Sequence, residues 1–191
     1  MQRRKMMLTV ASASVALAMF AGCTTNTGGT ATAAEKKADI DKGAQATLAM
    51  LYASVGGSRE LASKATGILI FPKVYAAGLG IGGEVGEGVL HVGGKTVDYY
   101  RTSSLSFGFQ AGAQSKALVF MFMTQDALNK FRSGNGWTAG ADASVTVLKS
   151  GANGIIDTSS LGAAVNAFAL SNAGLMAAAT IDGTKVTRLD L

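Results

Sequence analysis

From Glu35 onward, apolar residues return at three- and four-residue intervals: Ile40, Ala44, Leu48, Leu51, Tyr52 and Val55. That spacing predicts an amphipathic helix. Gly56-Gly57 stops it, Ser58 is placed to cap a short second helix through Ala65, and Gly67 ends that one. The period then changes. Ile68-Leu69-Ile70-Phe71 is continuously apolar and closed by Pro72, which reads as a short buried strand. Eight glycines follow between Gly78 and Gly94, with Leu79, Ile81, Val85, Val89, Leu90 and Val92 among them, and Gly93-Gly94 reads as a hairpin turn into Lys95–Arg101. Leu105, Phe107, Phe109 and Ala111 alternate on one face, and Ala117–Met123 is apolar throughout, as in a central strand. Thr124 caps a predicted helix over Gln125–Arg132 whose Ala127, Leu128 and Phe131 face inward. Alternation resumes through Ala139, Ala141, Ala143, Val145 and Val147. It returns at Ile155-Ile156, in the Ala-rich stretch 161–170, and in 176–181 and 186–189 across an Asp182-Gly183 turn.

These elements predict an α+β domain: a mainly antiparallel, curved or barrel-like sheet with amino-terminal helices and one helix in mid-chain. A membrane-spanning barrel needs many strands of about ten residues and would make a lipid anchor redundant.

The amino terminus follows another logic. Arg3, Arg4 and Lys5 precede an apolar run from Met6 to Ala21, and Phe20-Ala21-Gly22 stands before Cys23, the single cysteine. Charged, apolar and small-residue regions in that order make residues 1–22 a signal peptide. Phe-Ala-Gly-Cys resembles a bacterial lipobox, with Phe20 where leucine is commoner. The resemblance implies thiol acylation of Cys23, cleavage after Gly22 and acylation of the new amino group. A plain signal, or an uncleaved anchor helix with a chance cysteine, is the alternative. A single acyl chain anchors only marginally, whereas a lipoprotein modification supplies three. Residues 23–34 read as a lipidated, flexible tether and residues 35–191 as one domain. Thr24 after the cysteine, rather than aspartate, resembles the sorting pattern for an outer-membrane lipoprotein facing the periplasm.

Composition narrows the chemistry. The chain has 17 basic and 12 acidic residues; loss of the signal leaves 14 against 12, a net +2, which argues against a nucleic-acid partner. With Cys23 acylated, no disulfide is possible. Gly78-x-Gly80-x-x-Gly83 matches a dinucleotide fingerprint, with Asp98 further on, but no helix follows to receive a pyrophosphate. His91, the only histidine, has no metal-ligating or nucleophilic partner in sequence and reads as structural or exposed. Glu84 and Glu87 fall on opposite faces of a strand, which argues against an acid–base pair. Asp142 among alternating alanines suggests a structural hydrogen bond. No catalytic residue, cofactor or metal is expected.

The blocks Ile68–Lys73 and Gly78–Leu90 with Ser106–Ala113, Gly140–Val145 and Asn172–Gly183 strongly resemble the SYLF family of lipid-binding domains. Ala177-Ala178-Ala179 stands where that family usually has a second glycine. The family's eukaryotic members bind phosphoinositides, some bind actin filaments, and its bacterial members are often secreted or lipoproteins. The resemblance implies the fold and a general affinity for membrane phospholipids. Lys36, Lys37, Lys42, Arg59, Lys64 and Lys73 are the candidate headgroup contacts, since basic side chains beside an anionic leaflet contribute about 1 kcal/mol each. An ordinary solvated helix face is the alternative for them, and an envelope protein partner is the alternative for the domain.

Overall fold

A computed structural model of the chain describes residues 31–134, 136–149, 155–156, 162–171, 174–176 and 181–191, with residues 77–81 and 106–114 described by backbone alone. The signal region, Cys23 and residues 24–30 of the tether lie outside the described residues, as do 172–173 and 177–180 of the last family block. Ala33–Leu191 forms one compact unit that contains both hydrophobic clusters described below, so this stretch carries its own core.

Helix α1 spans Ala33–Ser54 and α2 spans Ser58–Lys64. Strand β1 (Gly67–Val92) and strand β2 (Lys95–Phe122) form one long antiparallel hairpin. Helix α3 (Gln125–Ser133) follows, then β3 (Trp137–Thr138), β4 (Val145–Val147), β5 (Val165–Ser171), β6 (Gly174–Leu175) and β7 (Lys185–Arg188). The strands make one curled, half-barrel sheet, antiparallel except where β4 runs parallel to β5. The α+β expectation holds.

The hairpin folds back on itself. Lys116 lies opposite Val74 in register and Glu84 lies ten residues beyond Val74, about 33 Å along a straight strand. Yet Lys116 Nζ sits 2.8 Å from Glu84 Oε2, with both side chains largely buried. Register shifts at Phe71/Val74 and Gly78/Gly80 supply the bending. Gly86 and Gly88 allow the closure: a Cβ on Gly86 would lie 2.8 Å from the Lys73 carbonyl oxygen, and one on Gly88 would fall on the Ile70 carbonyl oxygen. The second limb of β1 thus packs on the backbone of the first.

Two apolar clusters cover the two faces. Inside the curl, Leu69, Phe71, Leu90, Leu118, Phe120 and Phe122 meet Leu128 and Phe131 of α3 and Trp137. Their rings pack edge-on or tilted, Phe131 to Trp137 at 5.6 Å and Phe122 to Phe131 at 4.9 Å between centroids. On the outer face, Ile70, Val89, Val119, Met121 and Phe168 lie under Ile40, Ala44, Leu51 and Val55 and the α2 residues Leu61 and Ala62. Thr47 joins the buried stripe of α1, its Oγ1 donating to the Gly43 carbonyl, whereas Leu48 and Tyr52 are half-buried.

Several local expectations change. Thr124 does cap α3, its Oγ1 accepting from Ala127 N at 3.2 Å. Gly93-Gly94 does form the two-residue turn, with φ of 58° and 77° that only glycine adopts freely. Ser58, however, is not a cap. Gly57 holds that position at φ 83°, and the buried Ser58 hydroxyl instead donates to the Val55 carbonyl at 2.6 Å. Gly67 starts β1 rather than ending a helix. Pro72 does not close the first strand; it sits in the bulge, where no ladder donor is required. Residues 139–143 form a turn instead of a strand. Asp142 is exposed there, its Oδ2 accepting from Thr138 N at 2.6 Å, which is the structural hydrogen bond expected of it.

Candidate functional site

The outer sheet face is covered unevenly. Gly43 brings α1 against Pro72, where an added Cβ would lie 2.9 Å from the proline Cβ. Beside this contact a cleft of about 790 Å³ opens between α1 and the two limbs of β1. Asp39, Ile40, Lys42 and Ala46 form its helix wall; Pro72, Lys73, Tyr75, Val85 and Glu87 of β1 and Arg101 of β2 form the rest. Its volume suits an organic ligand.

The six basic candidates separate into two groups. Lys42 and Lys73 both line the cleft, are exposed, and have no ion pair among the described residues. Lys36 reaches the same region but donates to Glu87 Oε1 at 2.8 Å, an oxygen shared with Arg101 Nη2 at 3.1 Å. Lys37 stands 5.6 Å from the centre of the Tyr99 ring. Arg59 stacks on Tyr52 at 4.5 Å, and Lys64 pairs with Glu60 one helical turn away at 2.7 Å. Arg59 and Lys64 are not lining residues of the cleft.

Arg101 and Glu87 were not among the sequence candidates for binding. Their side chains share a face because they are cross-strand neighbours, a register invisible before β1 and β2 are paired. Burial raises the Glu87 pKa, but the hydrogen bonds and charges of Lys36 and Arg101 outweigh it and hold the carboxyl below its ordinary range. Glu84 lies on the opposite face, with Lys116 and Ser104, as the odd spacing requires. The cleft lining therefore carries three cations against the carboxylates of Asp39 and Glu87, and Lys36 adds a fourth positive charge on Glu87.

A second polar group fastens the start of α1. Asp41 accepts from the Tyr99 hydroxyl at 2.9 Å and from Thr96 Oγ1 at 3.2 Å. Burial, this hydrogen bond and the Asp41 charge push the Tyr99 pKa up to about 12. His91 is half-buried, and burial lowers its pKa despite the nearby Asp41 charge. Among the described residues no group of three His, Cys, Asp or Glu side chains could hold a metal ion. None of their helices is long and apolar enough to cross a membrane.

Residues 103–190 match the sequence model of the Ysc84 family, described as Las17-binding protein actin regulator. This match agrees with the resemblance to the SYLF family read from the sequence. The match starts within β2 and runs through β7, so the SYLF blocks Ile68–Lys73 and Gly78–Leu90 precede it, as do all the residues that line the cleft. SYLF domains are lipid-binding in general. No curated protein matches the chain.

Proposed function

We propose that this chain is a lipid-anchored protein of the bacterial envelope whose SYLF domain binds anionic phospholipid headgroups in the cleft between α1 and the hairpin. The observation that carries the reading is the pair Lys42 and Lys73, two exposed ammonium groups on opposite walls of one cleft that have no ion pair among the described residues. Arg101 adds a planar donor suited to phosphate oxygens, already oriented by Glu87. Acylation at Cys23 would confine the domain to the bilayer surface. Ala33, the first residue of α1, lies ten chain steps beyond Cys23, so the tether spans at most about 35 Å. Confinement on that scale turns weak headgroup contacts into occupied ones. With Thr24 beside the anchor, the outer membrane facing the periplasm is the proposed location. The role proposed is binding: the cleft gathers Lys42, Lys73 and Arg101 beside the apolar side chains of Ile40 and Val85.

Co-sedimentation of residues 31–191 with vesicles of graded anionic content, at two salt concentrations, tests this reading. Binding should rise with anionic lipid and fall with salt. Lys42→Gln with Lys73→Gln should cost about 2 kcal/mol, roughly thirtyfold in affinity, at about 1 kcal/mol per cation. Arg59→Gln with Lys64→Gln should cost much less, because those cations are already engaged. No sedimentation at either salt would refute the headgroup reading and leave an envelope protein as the domain's partner.

A further inference from the structure

Three large apolar side chains stand in the open around this cleft: Tyr75 at 56% exposure, Val85 at 55% and Leu105 at 74%. Tyr75 and Val85 line the cleft itself. Leu105 falls on the same sheet face, alternating with Arg101 along β2 and pairing with Gly83 two residues before Val85. Apolar residues scattered singly on a surface need no explanation, but Tyr75 and Val85 share one cleft and Leu105 lies in the next cross-strand pair on the same face as Val85.

We propose that this bare part of the outer sheet face is a membrane-insertion surface, with Tyr75, Val85 and Leu105 entering the bilayer interface while Lys42, Lys73 and Arg101 hold lipid phosphates above them. The proposal rests on the headgroup reading and adds how the domain sits on the lipid. Charge complementarity selects the bilayer as occupant: an apolar group edged by cations matches an acyl layer edged by phosphates. A tyrosine, with an apolar ring and a polar tip, suits that boundary. The backbone also permits it. Tyr75, Val85 and Leu105 face Ser115, Ser103 and Gly83 within the β1–β2 ladder, so inserting their side chains exposes no unpaired ladder group between those strands to lipid. The flanking Ser103, Ser115 and the Glu87–Arg101 pair keep the insertion shallow.

Residues 31–191 contain no cysteine, so Tyr75→Cys, Val85→Cys and Leu105→Cys can each carry one polarity-sensitive fluorophore, with Lys130→Cys on α3 as the distant control. With vesicles of phosphatidylglycerol and phosphatidylethanolamine, the three labels should shift to the blue and be quenched by brominated acyl chains, and the control should do neither. Co-sedimentation with all labels remaining in water would overturn insertion and leave the headgroup reading standing. Absence of co-sedimentation would overturn both. The triple change Tyr75→Ser, Val85→Ser and Leu105→Ser should keep the wild-type melting midpoint and lower vesicle partitioning about tenfold or more, with the salt dependence intact. Lys42→Gln with Lys73→Gln should instead flatten the salt dependence. Unchanged partitioning of the triple variant at the wild-type melting midpoint would also overturn insertion.

Discussion

One sheet face shows two treatments. At the base of the hairpin, Ile70, Val119 and Met121 are fully buried under α1 and α2. Further along the same face, Tyr75, Val85 and Leu105 are more than half exposed. The strand alternation that puts an apolar side chain outward is the same in both places, so the sequence pattern does not separate core from surface here. What separates them is the reach of α1, which crosses the hairpin at Pro72 and leaves the region around the bend bare. The covered part gives the domain its stability; the bare part lies beside Lys42 and Lys73, which have no ion pair among the described residues.

The largest test of this contrast is a pair of truncations. Met121→Ala, under α1, should lower unfolding stability by about 2–5 kcal/mol, the usual cost of a buried aliphatic truncation plus its cavity. Leu105→Ala on the same face should change it by no more than about 0.5 kcal/mol. Denaturant unfolding of both variants gives the comparison, and equal losses would mean that the bare region is part of the core.

Next in size is the fold-back that creates the cleft. Gly88→Ala would set a methyl group on the Ile70 carbonyl oxygen and 2.5 Å from Phe71 Cδ1. Both neighbours are held by the core, so the limbs must separate at a cost of about 1–3 kcal/mol. A Gly94→Ala change at the hairpin turn would act through its positive φ alone, with nothing within 4 Å of the new Cβ. Melting curves showing that Gly88→Ala is no worse than wild type would contradict the close packing of the limbs.

Much of this architecture was legible in the residues, and the exceptions have a common cause. The α1 stripe through Ile40, Ala44, Leu51 and Val55, the Thr124 cap, the inward face of α3 and the Gly93-Gly94 turn all depend on local periodicity or backbone preference. Pro72 misled because a proline that breaks a regular strand is tolerated at a bulge, and the bulge exists only to let the sheet curl. Ser58 misled because a helix-start residue with a hydroxyl also fits a buried contact to the preceding helix end. The six lysines and arginines were visible as a basic group, but only folding shows that Arg59 and Lys64 have local partners while Lys42 and Lys73 face one cleft. Arg101 escaped notice because it lies 28 residues from Lys73 and joins it through strand pairing. The odd spacing of Glu84 and Glu87 was the one sequence signal that separated the two faces.

The smallest expected effect lies at the border between the covered and bare regions, where Glu87 joins Lys36 of α1 to Arg101 of β2. Its carboxyl is held below the ordinary value of 4.5, so the folded state favours the ionised form more than the unfolded chain does. The stability it contributes is fully present above that ordinary value and disappears as pH falls through the lower, folded-state pKa. Partly exposed pairs of this kind contribute about 1 kcal/mol or less. Glu87→Gln should therefore lower the melting point slightly at neutral pH and lose less than wild type between pH 5 and 3, so that the two curves converge in acid. The same change leaves Arg101 and Lys36 without their shared carboxylate, which should strengthen binding to anionic vesicles while weakening the fold. A variant that loses stability and vesicle affinity together would show that Glu87 shapes the cleft rather than restrains its cations. Opposite movements of the two quantities would mark the boundary between the part of the face that holds α1 and the part that holds lipid.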